Sequence, residues 1–339
     1  MRYVPAWEQT VTRQGAILPD RDPYEREPGD WSHGWQYYAS DVLERNERHQ
    51  VLVCSSQLQA AVLRSAGRAL SRCFCALPTR SETRLPNEIF QILLRRALLE
   101  PVAAPFRLCP SRVCLTRGQT LDYCGFHAQS CIHTGSLQRR HTLWKDAWHT
   151  VLREAGGTVF SERLLSNTNV PVPSSDGRRV GLVVVGLPVY HGLPLFIDVS
   201  VCSPISAAGL PHHVPGASES GSRWGSVVAR KIAHYPEVAS SGVASFAVLV
   251  AEVYGRCSDD VLRLLRELAF HRAAAAPALL RRSVALAWYN RWWSVVACAL
   301  GRGVAGCYSH DQSAHEFRQQ HVVPPTLDAM LSDLWPLGA

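Results

Sequence analysis

Lysine is almost missing from this 339-residue chain: all but Lys145 and Lys231 of its 35 basic side chains are arginine. It also has no run of eighteen apolar residues, which excludes an ordinary membrane-spanning helix. The N-terminus MRYVPAWEQTVTRQ lacks the charged-then-apolar order of a secretory signal. Together these absences predict a soluble intracellular protein, nuclear or cytoplasmic, with no membrane partner. An even, regular cysteine framework is missing as well. The 11 cysteines are odd in number and unevenly spaced, a pattern that fits reduced thiols or metal ligation better than disulfides.

What is present is a globular composition, 47% apolar and 19% charged, long enough to bury a sizeable core in two or three units. The formal charge is +7 and is carried by arginine, whose planar fork suits phosphate. DNA or RNA is therefore the expected partner, with no small-molecule substrate. Arginine bias in the coding sequence is the plainer alternative.

The densest chemistry lies between Cys109 and His141, in CPSRVCLTRGQTLDYCGFHAQSCIHTGSLQRRH. Cys109 and Cys114 make one metal-spaced pair, His127 and Cys131 a second, with Gly118 and Gly125 available for tight turns. These four are the best tetrahedral set for a structural zinc ion; Cys124, His133 and His141 are possible replacements. The competing reading is a set of small buried cysteines beside an ordinary histidine.

Along the chain, residues 1 to about 35 show no helical or strand period and predict a loosely ordered lead-in. Leu58, Val62, Leu63, Ala66 and Leu70 fall on one face of a single amphipathic helix ending near Pro78. A second helix follows from Asn87 to Pro101, and Thr142 is a candidate cap for a third that ends at Gly156. In that reading Arg139, Arg140 and His141 precede a helix N-terminus, a suitable place for phosphate. After Gly157 the character changes. TVFSERLL, VGLVVVGL, LPLFIDVSV and ASFAVLVAEV predict strands, interleaved with helices that include one carrying Arg230 and Lys231. SDDVLRLLRELAFHR and PALLRRSVALAWYNRWWSVVACAL predict an N-capped amphipathic helix and a long buried one.

Asp198 interrupts the apolar run LFIDVSV, and an unpaired buried carboxylate is costly enough to need a purpose. Glu162 and Lys231 can converge with it at one sheet edge, the layout for Mg²⁺- or Mn²⁺-assisted phosphodiester hydrolysis. A strand-end aspartate and a surface lysine are the alternative. Glu252, ending another apolar strand, reads as a structural carboxylate bonded to backbone, with membership of the same site as the alternative.

The order of LRSAGRALSRCFCALPTRSETRLPNEIFQILLRRALLEP, the Cys-Pro-x3-Cys pair, LDYCGFHAQSC, RRHTLWKDAWHTVLREAGGTVFSE and FIDVSVCSP resembles the C-terminal region of non-LTR retrotransposon reverse transcriptases. That region carries a CCHC zinc knuckle followed by a restriction-like endonuclease of the PD-(D/E)xK type, and the resemblance spans roughly Leu63 to Leu300. It implies a fold of α+β or α/β class: a mainly helical N-terminal third, a small knuckle, then a restriction-endonuclease-like mixed sheet flanked by helices. The chain is expected to divide into a loosely ordered lead-in at 1–50, a helical segment at 51–105, the knuckle at 106–142, the endonuclease-like domain at 143–302 and a tail at 303–339.

The resemblance also implies Cys109, Cys114, His127 and Cys131 as zinc ligands, and places His141 in the family's Arg-His step. Glu162, Asp198 and Lys231 match its catalytic positions. The chain departs from the pattern at Gly181, where the family has a metal-binding aspartate, at Ser200 in place of lysine, and at Phe126 in the knuckle's Gly-Asp-His. The polymerase has no counterpart. The expectation is a nucleic-acid-binding fragment with a degenerate, weak or inactive nuclease fold, or alternatively a non-enzymatic zinc-stapled interaction domain. Gly181→Asp is the deciding test: metal-dependent nicking gained there and lost again on Asp198→Ala would mark a ruined nuclease site.

Overall fold

The computed structural model describes residues 47–102, 108–119, 121–212 and 223–308, so the first 46 residues of the expected lead-in lie outside the described residues. The chain divides into two compact units, Met1–Leu63 and Arg64–Ala339. In the first unit residues 47–54 are helical. Helix α1 (Gln57–Ser65) then opens on a capping box. Ser56 Oγ accepts from the Gln59 backbone N–H at 3.3 Å, and Gln59 Oε1 accepts from that of Ser56 at 3.0 Å.

The single helix expected as far as Pro78 is in fact broken. Helix α2 (Arg68–Cys75) starts anew after Gly67. The cause is long-range: a Cβ on Gly67 would lie 2.5 Å from Arg256 Cα, and the Gly67 N–H donates to the Tyr254 carbonyl at 3.1 Å. Only glycine allows so close a backbone approach. Helix α3 (Asn87–Ala97) follows Pro86, whose fixed φ suits a helix entry.

Two short helices, α4 (Arg112–Thr116) and α5 (Phe126–Ser130), lead into α6 (Ser136–Glu154). Helix α6 begins six residues before the expected Thr142 cap. Its N-cap is Gly135, at φ 71°, and nothing in SLQRR opposes helix. Arg139, Arg140 and His141 consequently sit inside the helix and not ahead of it.

Strands β1 (Thr158–Leu164), β2 (Arg179–Val185), β3 (Leu195–Cys202) and β4 (Ser245–Glu252) form one sheet in that order. The first two pairings are antiparallel and β3 runs parallel to β4. A parallel pair needs a crossover, supplied by α7 (Trp224–His234) and α8 (Pro236–Ala239). The fold is thus mixed helix and sheet, as expected at that coarse level.

Sequence character sets each strand's place. The β3 and β4 strands are apolar on both sides and covered on both faces: Val248 and Val250 meet Trp224, Val227 and Val228 of α7, while Ala247, Leu249 and Ala251 are fully buried. Strand β1 carries Glu162 and Arg163 and is mostly exposed, which suits an edge.

Helices α9 (Asp259–Ala273) and α10 (Arg281–Ala305) complete the core. Helix α10 packs against α2, α3, α6 and α9. Its fully buried Trp292 donates from Nε1 to Glu154 at 2.8 Å, and Glu154 also pairs with Arg291 at 2.6 Å. The serine opening α9 is not used as a helix cap; Ser258 Oγ instead bonds the backbone of Val248 and Val250 on β4. Within the second unit the knuckle is tied to α10 by Gln129 Nε2 donating to the Val304 carbonyl, and Tyr308 packs beyond residue 303 against Arg96 and Gly125.

Candidate metal centre and carboxylate cluster

The knuckle is built from short turns that aim four side chains at one point. Gly118, at φ 61°, turns the chain after α4 so that the Gln119 carbonyl accepts from the Cys109 N–H at 3.1 Å. Gly125, at φ 72°, opens α5, and Asp122 accepts from the Phe126 and His127 N–H groups at 2.9 and 2.8 Å. The Cys131 N–H then donates to the His127 carbonyl at 2.8 Å. Cys109, Cys114, His127 and Cys131 are all buried, and one potential ligand atom from each lies within 4.8 Å of all the others. The Cys131 sulfur is 3.8 Å from that of Cys109 and 3.7 Å from that of Cys114.

This donor set can hold a metal ion. His127 Nε2 is buried with no hydrogen-bond partner, an orphaned atom of a kind that folded proteins rarely tolerate. Burial, with two thiols facing it, pushes the Cys109 thiol up to about 12. Cys124 and His133, the possible replacements, stand outside the group, as does His141.

The second site lies on the sheet. Continuing the register from Leu182 opposite Ile197 by one residue brings Gly181 level with Asp198. On the other side, the β1–β2 register brings Glu162 level with Gly181, between the pairs Ser161–Leu182 and Arg163–Val180. Glu162, Gly181 and Asp198 therefore form one row across three strands. Glu162 has φ 52°, a left-handed conformation unusual for a non-glycine residue within a strand, and strain of this kind gathers at functional sites.

Neither carboxylate is free. Asp198, 4% exposed, has Oδ2 at 2.9 Å from Lys231 Nζ, an ion pair without hydrogen-bond geometry. Glu162 pairs with Lys145 of α6. A Cβ on Gly181 would lie 3.9 Å from Lys145 Cδ, so the lysine stem borders the side-chain-free face of Gly181. His141, one turn before Lys145, is held below its ordinary pKa chiefly by burial, with Asp198, Lys145, Lys231 and Glu162 as charged neighbours.

The expected residues Glu162, Asp198 and Lys231 thus share one neighbourhood, and sequence reasoning missed Lys145. Its signal was available: it is one of only two lysines in an arginine-rich chain. Asp176 is not part of the row; it is held by Arg178, which also pairs with Glu237. Glu252 is structural, its Oε1 accepting from the Arg223 and Trp224 N–H groups at the start of α7.

Arg140 differs from its expected phosphate role. It is buried at 3% exposure, and its guanidinium donates to the Gln129 carbonyl and Oε1 and to the Val201 carbonyl. In the second turn of a helix packed against β3, its side chain is drawn inward to carbonyls that need a donor. Arg139 remains half-exposed beside it. Among the described residues no helix is long and apolar enough to cross a membrane. Compared with protein-family models, curated proteins and solved structures, the chain matches none.

Proposed function

We propose that this chain is a nucleic-acid-binding module on a zinc-stapled, nuclease-like fold whose hydrolytic site is disabled. The resemblance to the endonuclease region of non-LTR retrotransposon proteins belongs to this reading.

Zinc fits the knuckle. Tetrahedral coordination at the usual zinc–sulfur distance of about 2.3 Å separates two sulfurs by about 3.8 Å. The two close sulfur pairs stand at 3.8 and 3.7 Å. Three thiolates and one imidazole are a soft to borderline donor set, which favours zinc over hard cations. The ion would be held by Cys109, Cys114, His127 and Cys131 and would close the turns between α4 and α5. The knuckle bonds the core on several sides: Arg96 reaches the Cys124 carbonyl, Ser130 that of Ile205 and Gln129 that of Val304. These contacts favour a staple over a freely moving nucleic-acid reader.

A hydrolytic Mg²⁺ or Mn²⁺ does not fit the sheet site. Gly181 offers no ligand, and both carboxylates of the row already have ammonium partners. No cleavage step is assigned.

The observation that carries the binding reading is the exposed arginine around this row. Arg163 follows Glu162, Arg179 donates to the Glu162 carbonyl at 3.1 Å, and Arg230 precedes Lys231; all three are exposed. They supply exposed cations suited to a phosphate backbone. The test is the salt dependence of binding to a labelled oligonucleotide. Each arginine that contacts phosphate contributes a slope of about −0.9 on duplex DNA or about −0.7 on a single strand. Replacing Arg163, Arg179 and Arg230 by Ala is expected to flatten the slope by roughly 2 to 3. Wild-type binding with no salt dependence would refute the reading.

A further inference from the structure

We propose that Lys145, with Lys231, replaces a divalent cation in the carboxylate row and keeps that row from binding one. This rests on the nuclease-like reading above. Four independent observations converge. Glu162, Gly181 and Asp198 are level across β1, β2 and β3. Each of the two carboxylates has a lysine ammonium as its ion-pair partner. These are the only two lysines in the whole sequence, every other basic side chain being arginine. Finally, the Lys145 stem borders the side-chain-free face of Gly181, with Cδ at 3.9 Å from a Cβ built there.

The residue type matters as much as the position. An ammonium is a compact point charge with three donors, so it satisfies carboxylate oxygens much as a small cation would, whereas a planar guanidinium demands a wider, forked partner. Unlike Mg²⁺ or Mn²⁺, an ammonium has no open coordination position and cannot lower the pKa of a bound water. The row is therefore charge-balanced without metal. Lys145 is the decisive member because its side chain is only 10% exposed and reaches from α6 over the strand that lost its ligand. Gly181→Asp by itself then gives a carboxylate that Lys145 neutralises, and nicking is not restored by that substitution alone. A Cβ at residue 181 meets the Ile197 carbonyl at 3.4 Å, an ordinary contact, so the backbone accommodates a Cβ there.

The experiment uses the full chain loaded with zinc and follows melting temperature against added Mn²⁺. Mn²⁺ lies at the weak end of the divalent series and does not displace zinc from thiolates. Wild type is expected to show no shift, and Gly181→Asp a small one. Lys145→Met/Gly181→Asp is expected to rise by several degrees once Mn²⁺ exceeds its Kd roughly a hundredfold. Adding Asp198→Asn should abolish that rise. A wild-type shift that disappears in Asp198→Asn overturns the proposal, and so does a folded double variant with no shift. Should the double variant not fold, Lys145→Met alone, which leaves Glu162 without its partner, must gain more stability from Mn²⁺ than wild type does; no gain overturns the proposal. Oligonucleotide anisotropy on the wild-type protein is read separately. Absent binding there refutes the nucleic-acid reading while leaving the Mn²⁺ result to decide the role of Lys145.

Discussion

Glu252 sits fully buried at the end of β4, with Oε1 accepting from the Arg223 and Trp224 N–H groups at 2.7 and 3.3 Å. It caps α7 from a distance, satisfying donors that the helix cannot. Burial raises its pKa above the ordinary value of 4.5. Because the folded-state value is the higher one, protonation favours the fold: the contribution is complete below about pH 4.5 and is lost as pH rises through the folded-state pKa. Glu252→Gln keeps an acceptor for both N–H groups and removes the charge. Its melting temperature is expected to equal or exceed that of wild type at pH 8, with the gain shrinking as pH falls towards 4.5. Glu252→Ala should lose about 1 kcal/mol or more at every pH, since both caps disappear. Thermal denaturation of the three proteins across this range checks both outcomes, and a pH-independent Gln difference would show that burial does not perturb the carboxylate.

At the scale of elements, the knuckle and α10 depend on each other. Gly125 opens α5 in a left-handed conformation, and a Cβ there would run into the Tyr308 ring that follows α10. Gly125→Ala is expected to cost about 2 kcal/mol or more through backbone strain and overlap, measurable in urea unfolding. Cys131→Ser removes the sulfur that lies close to both other cysteine sulfurs of the group. Its melting temperature should fall well below that of zinc-loaded wild type and change little with chelator, whereas wild type treated with chelator should fall towards the variant. Equal zinc content in the two proteins would disprove the ligand assignment. Within α10, Trp292→Ala should cost about 3 to 5 kcal/mol, because it empties a fully buried site and removes a donor from buried Glu154. Urea denaturation reads this loss as a lower midpoint with little change in slope.

For the whole molecule, the charge of +7 is carried by arginines in two settings, buried ones bonded to the interior and exposed ones, to which the proposed phosphate contacts would fall. Arg140 and Arg291 are turned inward, onto carbonyls in one case and onto Glu82 and Glu154 in the other. Arg163, Arg179 and Arg230 face outward. Ala substitution in the first group should therefore lower stability, leaving an unpaired partner in the interior. Substitution in the second should leave melting almost unchanged and weaken oligonucleotide binding mainly at low salt. Running both measurements on Arg140→Ala and Arg179→Ala separates the groups: a stability loss confined to Arg179 would reverse the assignment.

The sequence by itself determined what depends on neighbours along the chain. Runs such as VGLVVV and LFIDVSV could only be strands, because β-branched residues pack on pleated, covered surfaces. The grouping of Cys109, Cys114, His127 and Cys131 was legible because the four residues lie within one short stretch, where turns bring them together. Tertiary structure decided what depends on approach across distance. Gly67 breaks a well-patterned helix because Gly255 and Arg256 press on its backbone. The inward turn of Arg140 follows from carbonyls on other elements. Most of all, Glu162, Gly181 and Asp198 line up only through sheet register, and Lys145 meets them only through the packing of α6 on the sheet. No periodicity within the chain encodes that meeting, because strand register and helix docking are settled by burial of the faces opposite the site.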